Sequence, residues 1–342
     1  MEAYLYEPLE DKKVKCNLCS HRCVIKEGRR GKCSVRENRT GMLHTLVYDK
    51  VIARHVDPIE KKPLFHFLPG TLSYSIATVG CNLRCRFCQN ADIAQMPADH
   101  KGIISGDAVS PQAVVAAAQK SGCRSIAYTY TEPTVFFELA YDTAKIAHAH
   151  QIRNVFVTNG YMTAEALEMI NPYLDAANVD LKAFTDKYYK ELCGARLKHV
   201  QATLTRMKAL GIFVEVTTLI VPGLNDDTAE LQDLAGFIAH DLGTDTPWHI
   251  SRFHPTYKLT DRPPTPLKTL TRAREIGLET GLKYVYTGNV PGNSGENTYC
   301  YSCGEMVIER WGFQVGALRI KDGRCALCGA EIDGVWDYRI FL

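Results

Sequence analysis

No stretch of these 342 residues is apolar for long enough to cross a bilayer, and the opening MEAYLYEPLEDKK lacks the apolar centre of a secretion signal. Net charge is nearly absent as well. Forty Lys and Arg stand against 38 Asp and Glu, leaving +2. That balance predicts neither nucleic-acid binding nor attraction to an anionic membrane. Internal repeats and low-complexity tracts are missing beyond a plain strand–helix rhythm. The expected home of such a chain is the cytoplasm. With 46% apolar and 23% charged residues, it is long enough for one large core with small appendages.

Cysteine is what the sequence does have. There are thirteen, and eleven fall into three groups, with only Cys123 and Cys193 outside. In a reducing compartment structural disulfides are not expected, so clustered thiols read as metal ligands. Cys123 and Cys193 read as small buried residues.

From Tyr74 onward, short β-branched runs alternate with helical patterns. The runs are YSIATV (74–79), SIAYTY (125–130), NVFVTN (154–159), ANVDLK (177–182), FVEVTTLIV (213–221), WHISRF (248–253) and YVYTGN (284–289). Ser110 before Pro111 predicts a helix start, and Gly122, Gly211 and Gly243 stand where helices should stop. The alternation predicts an α/β fold with parallel strands joined by crossover helices, either a partial (β/α) TIM-like barrel or a doubly wound sheet. Ligands bind at the carboxyl ends of the strands in both architectures. Three divisions are expected: an N-terminal Cys-rich extension (1–45), the barrel domain (46–290) and a C-terminal module (291–342).

The central cysteine group, CNLRCRFCQN, begins where the first strand ends and holds Cys81, Cys85 and Cys88. Three thiolates can occupy three corners of a 4Fe-4S cube and leave one iron open, and an open position on a redox metal is a reactive one. A structural zinc, or an electron-transfer cluster borrowing a remote fourth cysteine, is the competing reading. Polar residues close the later strands: Tyr130, Thr131 and Glu132, then Thr158 and Asn159, then Asp180 and Lys182, whose spacing of two puts them on one face. Thr218 and Asn289 are further candidates, and an internal ion pair is the plainer reading of Asp180 with Lys182.

At the C-terminus, CYSCG and CALCG supply Cys300, Cys303, Cys325 and Cys328, two knuckles suited to a structural zinc ribbon. At the N-terminus, Cys16, Cys19, Cys23 and Cys33 follow a less familiar spacing. Zinc is the expectation there, with a second iron–sulfur cluster as the alternative. One or two zinc ions are therefore expected in all.

The motif Cys81-x3-Cys85-x2-Cys88 with Phe87 resembles the radical S-adenosylmethionine (radical SAM) signature. The phrases CNLCSHRC, DPIEKKPLFHFLPG, YTYTEPT, TNGY, VDLKAF, VPGLNDD, RFHP and YTGNVPG are similar to the pyruvate formate-lyase activating enzyme branch, and within it to the AmmeMemoRadiSam system radical SAM proteins. The resemblance implies a partial barrel and a 4Fe-4S cluster whose open iron is chelated by SAM. It also implies an electron donor of the flavodoxin or ferredoxin class, and reductive cleavage to a 5′-deoxyadenosyl radical that abstracts hydrogen from a substrate, a protein in the activase case. It places Phe87, Tyr130, Thr131, Glu132, Thr158, Asn159, Asp180, Lys182, Thr218 and His254 around SAM. Tyr130 and Thr131 replace the two glycines of the family's Gly-Gly-Glu motif. Action on a small molecule or another protein residue is the alternative, and a non-catalytic iron–sulfur or zinc-ribbon adaptor is a third.

Overall fold

The computed structural model describes residues 1–290 and 292–336; Pro291 and residues 337–342 of the expected C-terminal module lie outside the described residues. Its centre is a nine-stranded sheet. Seven strands run parallel in chain order: β1 (Leu72–Thr78), β2 (Ser125–Tyr128), β3 (Arg153–Thr158), β4 (Ala176–Asp180), β5 (Phe213–Ile220), β6 (Trp248–Arg252) and β7 (Val285–Gly288). The long strand Lys50–Pro58 adds antiparallel to β1, and Asp107–Ala108 closes that edge. No pairing of β7 back to that edge occurs among the described residues, so the sheet is an open, partial barrel rather than a doubly wound sheet. A doubly wound sheet would reverse its strand order at a switch point, and here the order is sequential.

The helices arise where the sequence places them. α1 (Pro111–Lys120) begins with Ser110 Oγ accepting the Ala113 N–H at 3.2 Å, a cap contributing about 1 kcal/mol. α2 (Phe137–Ala149), α3 (Ala164–Ile170), α4 (Leu197–Ala209), α5 (Thr228–Phe237) and α6 (Leu267–Glu279) follow in turn. Parallel strands covered by helices lose their polar face, and Ile76, Ile126, Phe156, Val179, Val216 and Ile250 are all fully buried in one core. No helix among the described residues is long and apolar enough to cross a membrane.

Both Cys-rich ends pack onto this frame. The N-terminal strands Tyr6–Pro8, Val14–Cys16 and Val24–Ile25 form a small antiparallel sheet, followed by the hairpin Arg36–Arg39 with Met42–Thr45. Arg36 pins this extension to α2 through a buried ion pair with Glu138 at 2.8 Å. At the other end, Cys300, Cys325, Val307 and Ile308 share a core with Phe65, Tyr284 and Tyr286 of the barrel.

Gly80 joins the end of β1 to the first cluster cysteine. Its φ is +101°, and a Cβ there would lie 2.5 Å from Val35 Cγ1 and 3.3 Å from the Cys33 carbonyl oxygen. Gly80→Ala is therefore expected to cost about 3 kcal/mol. Gly122→Ala, at φ +66° with no atom within 4 Å, should cost only about 1 kcal/mol. Urea unfolding midpoints of the two variants check the difference.

Candidate active site at the carboxyl ends of the strands

The loop after β1 carries Cys81, Cys85 and Cys88 at the carboxyl end of the sheet. The three thiols stand close enough to act electrostatically on one another, and all thirteen cysteines are free thiols. Burial, then the Glu132 carboxylate, push the Cys81 thiol well up; burial and Cys85 push Cys88 up to about 11. The Cys85 thiol is lowered, first by its hydrogen bond with Cys193, against the cost of burial and with help from Lys182.

Backbone from elsewhere clamps this loop. Arg84 N–H donates to the Cys193 carbonyl at 2.8 Å and Arg86 N–H to the Leu192 carbonyl at 2.9 Å. Lys258 N–H, after β6, donates to the Arg86 carbonyl at 2.9 Å. The Arg84 guanidinium ties the loop to the Lys32 carbonyl at 2.6 Å and to Gln95 Oε1 at 2.7 Å.

Asn159, at the end of β3, brings the strand-end residues to the thiols. Its Nδ2 lies 3.7 Å from Cys81 Sγ and 2.8 Å from Asn82 Oδ1. Glu132 in turn fixes Asn159: its carboxylate accepts the Asn159 N–H at 2.8 Å and the Thr158 hydroxyl at 2.7 Å. It also accepts the Thr134 N–H at 3.1 Å, capping the short 3₁₀ turn Pro133–Phe136. Burial raises the Glu132 carboxyl above the usual range against the opposing pull of these hydrogen bonds. Tyr130 has φ +62°, the left-handed region that a glycine adopts without strain. Its hydroxyl on Asp57 and the Lys62 ammonium 4.7 Å from its ring centre offset that strain. The Tyr130 carbonyl accepts from Asn90 Nδ2 at 2.7 Å. Thr131 Oγ1 donates to the Thr78 carbonyl at 2.8 Å.

Asp180 and Lys182 pair with each other at 2.7 Å, as the plainer reading has it, and they do so beside Cys85. Burial would lower the Lys182 ammonium, but Asp180 and the cysteines outweigh it and hold it raised. Phe87 is buried, its ring 5.8 Å from that of Tyr188. Thr218 is engaged within the sheet, donating to the Leu181 carbonyl at 2.8 Å and accepting from Trp248 Nε1 at 3.0 Å. His254 sits exposed on the loop after β6, and Asn289 Nδ2 reaches Ser251 Oγ at 2.9 Å. Sequence reasoning missed Asn82 and Cys193. Asn82, next to Cys81, could have been found as a polar residue inside the cysteine loop; Cys193 carries no local signal.

Residues 75–235 match the family model of the radical SAM superfamily. An uncharacterized protein of Methanocaldococcus jannaschii is 49% identical over 97% of this chain and 98% of its own length. The chain belongs to the radical SAM superfamily. Two solved radical SAM-like folds superpose on it. One is a radical SAM methyltransferase from Sphaerobacter thermophilus, with TM-score 0.51 and 18% identity over 67% of this chain and 71% of that one. The other is Streptococcus suis SuiB bound to S-adenosylmethionine, with TM-score 0.51 and 15% identity over 68% of this chain and 53% of that one; SuiB has also been solved with the precursor peptide SuiA.

Membership of the radical SAM superfamily implies a 4Fe-4S cluster and SAM, and the residues fit them. The three thiols share one loop, Cys85 buried and Cys81 and Cys88 partly so, and act electrostatically on one another, as a cube held at three corners requires. The Leu83 N–H points at Cys81 Sγ at 3.4 Å, and the fully buried Asn82 Nδ2 has no hydrogen-bond partner, so N–H donors suited to thiolate or sulfide surround this corner.

Proposed function

We propose that this radical SAM enzyme cleaves S-adenosylmethionine reductively and abstracts hydrogen from a protein substrate, in the manner of a glycyl-radical activase. The single observation that carries the reading is the loop of Cys81, Cys85 and Cys88 at the carboxyl ends of the strands, with Asn159 reaching Cys81 and the Asp180–Lys182 pair beside Cys85. When bound, the cluster supplies the electron that breaks the sulfonium carbon–sulfur bond.

The chain's own residues do the rest. Asn159 and the Leu83 N–H polarise Cys81, while Asp180 and Lys182 offer a carboxylate and an ammonium next to Cys85 to the hydroxyls and carboxylate of SAM. His254 stands exposed at the same rim for the adenosine. A protein substrate is supported by the likeness of the phrases from YTEPT to YTGNVPG to the activating-enzyme branch, and by a fold shared with SuiB, which has been solved with a peptide. The electron would come from a donor of the flavodoxin or ferredoxin class in a reducing cytoplasm. At the C-terminus, Cys300 and Cys328 Sγ lie 3.6 Å apart and Cys303 and Cys325 Sγ 3.9 Å apart. Four thiolates about 2.3 Å from one zinc stand about 3.8 Å from each other, so this set suits a structural zinc.

The substrate class is tested by supplying the reduced enzyme and SAM with either the protein fraction or the small-molecule ultrafiltrate of its own cells. A protein substrate yields 5′-deoxyadenosine with the protein fraction and a carbon-radical EPR doublet that co-purifies with a second polypeptide. Turnover driven by the ultrafiltrate alone, with consumption of a metabolite, would sink the activase reading and favour the small-molecule one.

A further inference from the structure

The N-terminal thiols present a different picture from the C-terminal ones. Cys16, Cys19, Cys23 and Cys33 line one cavity, walled otherwise by Leu18, Ile25, Thr134 and Val135. Among the described residues, only Cys300, Cys303, Cys325 and Cys328 bring three or more ligand atoms within 4.8 Å of one another. No three of the N-terminal sulfurs lie within 4.8 Å of one another, a looser set than the spacing of about 3.8 Å at which one zinc holds its thiolates. A cube of four irons and four sulfides holds its four thiolates farther apart and fills the space between them.

A second observation says that the cavity expects a partner. Arg36, only 2% exposed, lines the same cavity, and its Nε and Nη1 have no hydrogen-bond partner. Its Nη2 is taken by the Tyr4 carbonyl at 2.6 Å and by Glu138 at 2.8 Å. Two buried guanidinium N–H groups left unmatched cost several kcal/mol unless something anionic arrives. Metal-bound thiolates and sulfides are such acceptors. Arg36 therefore argues for an anionic metal–thiolate group, and the spacing of the thiols chooses which one.

We propose that Cys16, Cys19, Cys23 and Cys33 bind a second 4Fe-4S cluster, closed by four thiolates, with Arg36 donating to its sulfurs. Zinc, slightly favoured for this set by its spacing in the sequence and expected for the C-terminal set as well, is then held by the C-terminal set alone. A closed cluster has no open iron for SAM, so its chemistry is confined to holding and passing electrons. It lies against the first cluster loop: the Cys33 carbonyl abuts Gly80, the Arg84 guanidinium meets the Lys32 carbonyl, and His21 Nε2 meets the Asn82 carbonyl at 2.8 Å. An electron delivered there would have only the residues around Gly80 and Asn82 to cross.

The test is metal and acid-labile sulfide content of the full-length chain, reconstituted anaerobically, with EPR after dithionite reduction. Wild type is expected to hold about eight iron and about one zinc per chain. Replacing Cys81, Cys85 and Cys88 together by Ala should leave about four iron and a reduced-cluster signal that added SAM does not alter. Replacing the four N-terminal cysteines by Ser should leave about four iron and a signal that SAM does alter. Two zinc with four iron in the wild type, or a Cys81/Cys85/Cys88 variant without iron, would overturn the proposal. The wild-type count decides the matter even where a variant fails to fold. Because the readout is metal and spin, it stands apart from whether SAM is cleaved or which substrate is used.

Discussion

Cys85→Ala is expected to abolish 5′-deoxyadenosine formation from SAM and dithionite, lowering it by more than about 100-fold. Partners one shell removed from a metal already command about 10–100-fold, and loss of a ligand should exceed that. The environment of Cys85 makes the experiment sharper than it would be at Cys81 or Cys88. Cys193 hydrogen-bonds to Cys85, so a fourth thiol stands close to the central three. If Cys193 were the fourth ligand, every iron would be closed and SAM would have nowhere to bind. The two roles predict opposite results. With Cys193 as a neighbour that lowers the Cys85 thiol, Cys193→Ala keeps its cluster and cleaves SAM within about tenfold of wild type. With Cys193 as a ligand, Cys193→Ala changes the cluster's EPR signal and its response to SAM. Cys193 is buried, with Lys182, Asp180, Tyr188 and Tyr189 also within its electrostatic reach. Normal SAM cleavage by Cys85→Ala would remove the cluster assignment altogether.

Cys193 also marks where the sequence stops being legible. The seven parallel strands fell within two residues of their expected ends, because runs such as NVFVTN and FVEVTTLIV are short, rich in β-branched and aromatic residues and bounded by turns. The cysteine loop was legible for the same reason: its ligands are local. Cys193 meets Cys85 from far along the chain, in the segment Tyr189–Cys193 whose carbonyls also hold Arg84 and Arg86, and no spacing announces it. The partners of Thr218 are equally non-local. A hydroxyl near a strand end resembles a ligand in sequence, but its partners are the Leu181 carbonyl and Trp248, fixed by the register of β5 against its neighbours. At the N-terminus the sequence favoured zinc with a second iron–sulfur cluster as the alternative, and spacing along the chain does not give the arrangement of the four sulfurs in space.

Glu132→Ala is expected to act through the scaffold before it acts on SAM. The carboxylate is 1% exposed and accepts from Thr158, Asn159 and Thr134, so it joins the end of β2 to the end of β3. Removing it leaves those donors buried and unmatched, a loss of about 3 kcal/mol or more, visible as a lower urea midpoint. The same change frees the Asn159 backbone, and with it the side chain that reaches Cys81 Sγ and Asn82 Oδ1. SAM cleavage should therefore fall by about 10–100-fold even below the denaturation midpoint, with the reduced cluster's EPR signal shifted because a donor near Cys81 has moved. Asn159→Ala isolates the second half of that chain. It should reproduce the shifted signal and much of the lost rate at a smaller stability cost than Glu132→Ala, because the Asn159 N–H to Glu132 survives and the buried partners left unmatched are Asn82 Oδ1 and the Tyr161 N–H. The resemblance to the family predicts something else, direct contact of Glu132 with the amino group of SAM. Under that reading Glu132→Gln would raise KM for SAM and leave both the urea midpoint and the EPR signal of the SAM-free cluster unchanged. A lowered midpoint together with a shifted SAM-free signal assigns Glu132 to positioning Asn159, since a residue whose work is done on SAM cannot alter the cluster before SAM arrives.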